Sequence, residues 1–107
     1  DLAARNVLLV DEDNVKIGDF GLSRHFQPEN FYYTSHGGRL PIKWMALESL
    51  TEYKFTSASD VWSFGVLLFE LITLGDGPYP EIDPHLMENY LKTGKRMAKP
   101  ENCPDQL

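Results

Sequence analysis

Apolar and polar positions divide the chain into stretches with different periods. Val7 to Val10 is a short apolar run, Asp11-Glu12-Asp13-Asn14 is a turn cluster, and Val15-Lys16-Ile17 resumes with apolar/polar alternation. Two β-type runs joined by Asp- and Asn-rich residues predict a hairpin. From Gly18 to about Gly38 no periodicity is sustained; the stretch is polar and holds Pro28 and the pair Gly37-Gly38. A loop of that length inside a domain is uncommon and usually functional. Beyond it, Val61, Phe64, Leu68, Leu71 and Ile72 recur at helical spacing, while Trp62, Val66, Leu67 and Phe69 make the other faces apolar too. A helix of that kind, over about 57–74, is expected to be buried rather than to lie at the surface. Ser57-Ala58-Ser59-Asp60 is its expected capping box, with Ser57 as N-cap and the Asp60 carboxylate reaching back, and Gly75 marks its stop. A shorter helix is expected over about 84–93, with Asp83 as cap, Pro84 at the first helical position and Gly94 at the end.

Composition changes this picture in two ways. The 107 residues are 42% hydrophobic and 24% charged, which is ordinary for a globular chain and has room for one small domain. A helix apolar nearly all round needs more protein about it than a chain of this size supplies. Asp1 also opens inside what looks like the middle of a motif, so the chain reads as an excerpt of a longer protein, to which any function belongs. The formal charge of −6 argues against a nucleic-acid partner, which would call for clustered Lys and Arg. The single cysteine, Cys103, cannot form an internal disulfide, so a reducing compartment is expected. Val61 to Leu74 is too short to span a bilayer and carries Glu70 in its middle, and no signal peptide is visible.

The chemistry gathers around the hairpin. Asp1-Leu2-Ala3-Ala4-Arg5-Asn6 precedes the first strand and Asp19-Phe20-Gly21 follows the second. An antiparallel hairpin brings its outer ends together, so Asp1, Asn6 and Asp19 are expected at one rim. Two carboxylates and an amide oxygen are hard ligands that suit Mg²⁺ better than zinc. Taken alone, Asp1 and Asn6 would read as a turn or a cap. His25, His36 and His85 are scattered and read as surface residues; Trp44, Trp62 and Phe64 read as core. Tyr53, Tyr79 and Tyr90 read as packing residues.

Asp1-Leu2-x-x-x-Asn6, Asp19-Phe20-Gly21, Ala46-Leu47-Glu48 and Asp60-Val61-Trp62-Ser63-Phe64-Gly65, in this order, resemble the later part of the protein-kinase signature set, and the resemblance runs from end to end of the chain. It implies an α+β, protein-kinase-like fold seen in part: the mainly α-helical C-terminal lobe with a small β-hairpin. The resemblance places the catalytic loop at 1–6, the activation segment at 19–48, and two of the lobe's helices at about 57–74 and 84–93. It makes Asp1 the general base toward the substrate hydroxyl, and Asn6 and Asp19 the holders of Mg²⁺ on ATP. It gives Asp60 a structural role, its carboxylate holding the catalytic-loop backbone. Serine/threonine kinases usually carry a Lys two residues after the base; here Ala3 stands there and Arg5 stands at the fourth position, the tyrosine-kinase pattern, which puts Arg5 in the catalytic set. Pro41, Ile42, Lys43 and Trp44 resemble the tyrosine-kinase substrate platform, whose apolar wall holds the tyrosine ring. Met45 to Leu50 and Gly77-Pro78-Tyr79-Pro80 look like receptors of the fibroblast-growth-factor, Met and Ret neighbourhood.

The activity so implied is transfer of the ATP γ-phosphate to protein tyrosines by a single-pass plasma-membrane receptor, with this segment in the cytoplasm and ligand-driven homodimerisation of the whole protein. A cytoplasmic non-receptor tyrosine kinase and an inactive kinase-like binding module are the competing readings. The second is disfavoured because Asp1, Asn6 and Asp19 are all present. Tyr32 and Tyr33 lie between Asp19-Phe20-Gly21 and Ala46-Leu47-Glu48, where phosphate could order the loop against Arg24 and Arg39. By spacing from Asp19 and Pro41, Tyr32 is favoured as the main switch.

Overall fold

The computed structural model describes residues 1–18 and 40–107. Asp19, Phe20, Gly21, Arg24, His25, His36, Arg39, Tyr32 and Tyr33 therefore lie outside the described residues.

The N-terminal part is a two-stranded antiparallel hairpin, β1 (Val7–Asp11) and β2 (Asn14–Ile17), with Val7 opposite Ile17, Leu8 opposite Lys16 and Leu9 opposite Val15. The register slips between Leu9 and Asp11, so that Asp11 faces Asn14. Asp11 closes the turn: its Oδ1 accepts from the Asp13 N–H at 2.9 Å and from Asn14 Nδ2 at 2.7 Å. The Asp13 N–H first, and the Asn14 amide second, hold the Asp11 carboxyl below its ordinary value. At the open end the Gly18 N–H donates to Asn6 O at 2.7 Å, so residues 6 and 18 are neighbours. The apolar run does not become core: Leu8, Leu9, Val10, Val15 and Ile17 are each more than half exposed.

Residues 40–55 form a 3-10 turn, Ile42–Trp44, and a short helix α1 (Leu47–Glu52). Tyr53 ends α1 in the left-handed conformation at φ 54°. It is 48% exposed, so the packing role expected of it is not what the fold provides.

The long helix α2 spans Ser57–Ile72. Its capping box sits one residue earlier than the sequence suggested. Thr56 is the N-cap, its Oγ1 accepting from the Ser59 N–H at 3.3 Å, while the Thr56 N–H donates to Ser59 Oγ at 2.8 Å. Thr56/Ser59 and Ser57/Asp60 share the same i, i+3 spacing, so pattern alone could not choose between them. Hydroxyls satisfy both donors, and Asp60 is left exposed. The stop is also shifted. Leu74 takes the left-handed position at φ 59° and its N–H donates to Leu71 O at 3.2 Å, while the Gly75 N–H (φ 107°) reaches Glu70 O at 2.8 Å. That paired closure is a Schellman ending with leucine where glycine is usual, a placement that costs about 1 kcal/mol in backbone strain.

Burial on α2 is one-sided. Ser59, Val66 and Leu67 are buried, whereas Val61, Phe64 and Leu71 are 68%, 47% and 55% exposed. Among the described residues α2 is thus covered on one face only, and Phe64 is half exposed, as expected of an apolar helix that needs more protein about it than this segment supplies. No helix among the described residues is long and apolar enough to cross a membrane.

After α2 the chain returns through Pro78 and Tyr79 to a 3-10 turn, Pro84–Leu86, that runs on into α3 (Met87–Lys92). Asp83 Oδ1 accepts from the His85 N–H at 2.9 Å, and Gly94 takes φ 85° beyond α3. His85 itself is exposed. Tyr79, Met87 and Leu91 form the core cluster, with Ile42, Leu47, Leu50 and Trp62 packed against it. Tyr79 and Tyr90 meet edge to face at 5.9 Å. Burial is the main influence on the Tyr79 phenol and pushes its pKa up.

The cap assignment predicts that Thr56→Ala lowers the stability of the folded protein by about 1 kcal/mol while Ser57→Ala leaves it within about 0.5 kcal/mol. Denaturant midpoints of the two variants check this; equal losses would place the cap elsewhere.

Candidate active site

The loop that opens the chain folds on itself before the hairpin begins. Ala4–Asn6 is one 3-10 turn, closed by the Asn6 N–H to Ala3 O at 3.0 Å. The Ala3 side chain is fully buried, so a larger residue would have to displace its neighbours. This turn sets Arg5 back toward Asp1, and Arg5 Nη2 lies 2.7 Å from Asp1 Oδ1. The Asp1 side chain is 12% exposed and that of Arg5 46%. An ion pair with one wet partner contributes about 0–1 kcal/mol, so its value here is directional: it occupies Oδ1 and orients the carboxylate.

Asn6 is buried, and its Nδ2 donates to the backbone O of Asp1 at 2.6 Å. That bond uses one N–H of the amide and leaves Oδ1 without a hydrogen bond among the described residues. A hard, neutral oxygen of that kind fits Mg²⁺. Among the described residues no group of three or more His, Cys, Asp or Glu gathers as a metal site. Asp19, the other expected Mg²⁺ ligand, lies outside them.

The platform residues split in two directions. Ile42 joins the core below. Lys43 Nζ turns to Tyr79 O at 2.8 Å. Trp44 turns to the opening loop: the Arg5 guanidinium carbon sits 4.6 Å from its ring centroid, in the range of a cation–π contact. Pro41 precedes the turn in a non-helical conformation and is partly exposed. The structure thus brings Asp1, Arg5, Asn6 and Trp44 together and points Lys43 elsewhere.

One residue of this group was not read as a site residue from the sequence. Glu70 Oε1 accepts from Trp44 Nε1 at 2.6 Å and from the Ala4 N–H at 3.0 Å. Ser63, on the same face of α2, donates its Oγ to Trp44 O at 2.7 Å. Among the described residues the α2 carboxylate that holds the backbone of the opening loop is that of Glu70, not that of Asp60. The signal was available: a carboxylate in an otherwise apolar helix needs hydrogen-bond donors to offset its desolvation.

Sequence comparison with known proteins shows the family. The family model described as protein tyrosine and serine/threonine kinase matches residues 1–107. The tyrosine-protein kinase receptor torso of Drosophila melanogaster is 56% identical over 108 residues, covering 100% of this chain and 12% of that protein. The receptor of the same name from Bombyx mori is 51% identical over 107 residues, covering 100% of this chain and 13% of that protein. The chain thus spans about an eighth of the length of these curated relatives. The matches do not single out the fibroblast-growth-factor, Met and Ret neighbourhood.

Lys43 yields a test of the platform's anchoring. Tyr79 O also accepts from the Ile82 N–H at 3.1 Å, so removing the ammonium does not orphan it. Lys43→Met is expected to destabilise the folded protein by about 1.5 kcal/mol, the low end for a charge-assisted bond. Urea unfolding checks this; a loss of ~3 kcal/mol or more would mean that Lys43 holds more than this carbonyl.

Proposed function

Since the chain belongs to the protein tyrosine and serine/threonine kinase family, we propose that the whole protein transfers the γ-phosphate of ATP to tyrosine hydroxyls of other proteins. We place it as a single-pass receptor of the plasma membrane that dimerises on binding a ligand, with this segment on the cytoplasmic side. The names of the two relatives, both tyrosine-protein kinase receptors, support this reading. The segment corresponds to part of the helical C-terminal lobe.

One observation carries the chemistry: the Arg5 guanidinium pairs with Asp1 Oδ1 at 2.7 Å while lying over the Trp44 ring. The same group therefore orients the base and lines the platform. With Oδ1 occupied, Asp1 Oδ2 is the oxygen that accepts the proton of the substrate hydroxyl. Pro41 and Trp44 supply the wall against which a tyrosine ring lies, and Ile42 ties that wall to the core. Lys43 braces that wall from beneath through Tyr79. Asn6 Oδ1, with Asp19, would hold Mg²⁺. Bound MgATP supplies the phosphoryl group and the charge neutralisation that its transfer requires. The relation to fibroblast-growth-factor-type receptors stays part of the proposal and favours Tyr32 over Tyr33 as the regulatory tyrosine.

The test uses the whole protein with MgATP and peptides that differ only in Tyr, Ser or Thr at the acceptor. Phosphate is expected on tyrosine; equal transfer to serine would sink the assignment. Asp1→Asn should lower kcat by about a hundredfold or more with ATP affinity unchanged, because a base acts on the acceptor. Asp19→Asn should abolish most turnover.

Regulation is tested separately with Tyr32→Phe, Tyr33→Phe and the double change, each preincubated with MgATP. The double variant is expected not to activate and Tyr32→Phe to account for most of the loss. Full activation of the double variant would move the switch elsewhere.

A further inference from the structure

We propose that Glu70 is a positioning residue that locks the tyrosine platform to the base-bearing loop, setting how accurately an acceptor hydroxyl meets Asp1. The inference rests on the kinase reading above.

Glu70 joins two segments far apart in sequence, and does so through one atom. Ala4 N–H and Trp44 Nε1–H converge on Oε1 at 3.0 and 2.6 Å. The donors come from opposite sides of the proposed site: Ala4 from the turn that carries Arg5, and Trp44 from the platform. Trp44 is held a second time where its backbone O accepts from Ser63 Oγ at 2.7 Å. Ser63 and Glu70 are seven residues, about two helical turns, apart on one face of α2. The indole is thus pinned to α2 at its side chain and at its backbone. Its ring then supports Arg5, which pairs with Asp1. The links Arg5–Trp44–Glu70–Ala4 close into a ring because Ala4 and Arg5 are adjacent, and Asp1 joins that ring through Arg5. Moving the platform relative to the loop would break at least one of these links. Glu70 touches neither Asp1 nor Asn6 in any of these contacts, so it acts through Trp44 and Ala4.

The chemistry of the acceptor makes the role separable from charge. Both donors use Oε1, so a glutamine at this position keeps the oxygen that matters, while a methionine of similar length leaves both N–H groups without an acceptor. Misplacement of about 1 Å between reacting groups costs up to ~100-fold in rate.

The experiment compares whole-protein Glu70→Gln, Glu70→Met, Trp44→Phe and the pair Glu70→Met/Trp44→Phe, with peptide kinetics and ATP binding measured on each. Glu70→Met is expected to lower kcat/KM for the tyrosine peptide by about 10- to 100-fold with the Kd for ATP unchanged. Glu70→Gln should stay within about threefold of wild type, and the double variant should lose less than the product of the two single losses. The proposal is overturned if folded Glu70→Met retains wild-type peptide kinetics, if Glu70→Gln loses as much as Glu70→Met, or if the two losses multiply. Should Glu70→Met fail to fold, Glu70→Asp carries the test, since it keeps the charge but is one methylene too short to hold both donors. A fall of about fivefold or more in peptide kcat/KM at unchanged ATP affinity supports the role, and wild-type behaviour overturns it. A wild-type protein that phosphorylates no tyrosine peptide would instead sink the kinase reading itself.

Discussion

Glu70 Oε1 accepts from two backbone and side-chain donors that belong to different segments, and through them it fixes where the opening loop and the platform lie against α2. A carboxylate partly withdrawn from water needs such donors, because an unpaired one would cost several kcal/mol. The same requirement runs the other way: with Glu70 occupied, the Trp44 indole and the Ala4 amide have a single direction in which to point. Ser59, Ser63, Val66, Leu67 and Glu70 recur at three- and four-residue steps, so one face of α2 carries both the cap and the anchors. That face organises the site; the opposite one, with Val61 and Leu71, stays exposed.

Arg5 extends the constraint to the proposed base. Its pairing with Asp1 adds little to stability given its exposure, and its contact with Trp44 is of similarly modest size. Their effect is geometric: a planar guanidinium that meets a carboxylate on one side and an indole on another leaves each few orientations. Beneath the platform, Lys43 and the buried Tyr79 connect it to the small core of Met87 and Leu91. Tyr79 holds φ 46° there, a left-handed conformation that a non-glycine residue adopts only when its surroundings over-determine it.

Much of this was legible before the fold was known. The hairpin could be read because Asp11 and Asn14 are turn formers between apolar runs; Asp83 and Pro84 mark the 3-10 turn that leads into α3 and Gly94 the end of α3, because each has one strong positional preference. Asp1, Arg5 and Asn6 stood out through resemblance to kinases, and their spacing alone would have suggested a turn. The cap of α2 was misplaced by one residue because two i, i+3 pairs overlap, and the choice depended on which hydroxyls could reach the backbone. The apolar circumference of α2 shows which faces can be buried and says nothing of what covers them; among the described residues only one face is covered.

Local signals in the sequence determined the elements and the chemical types at the site: a turn of Asp and Asn, a Pro-led helix, and an acid, a guanidinium and an amide within six residues. Those depend on neighbours along the chain, where backbone preference and short-range hydrogen bonds dominate. Tertiary structure decided which carboxylate holds the loop. Asp60 and Glu70 lie on the same helix, and among the described residues it is the position of Glu70 on its circumference that faces both Ala4 and Trp44. Contacts across 66 and 26 residues of chain follow from how the segments pack, and no pattern local to either end encodes them.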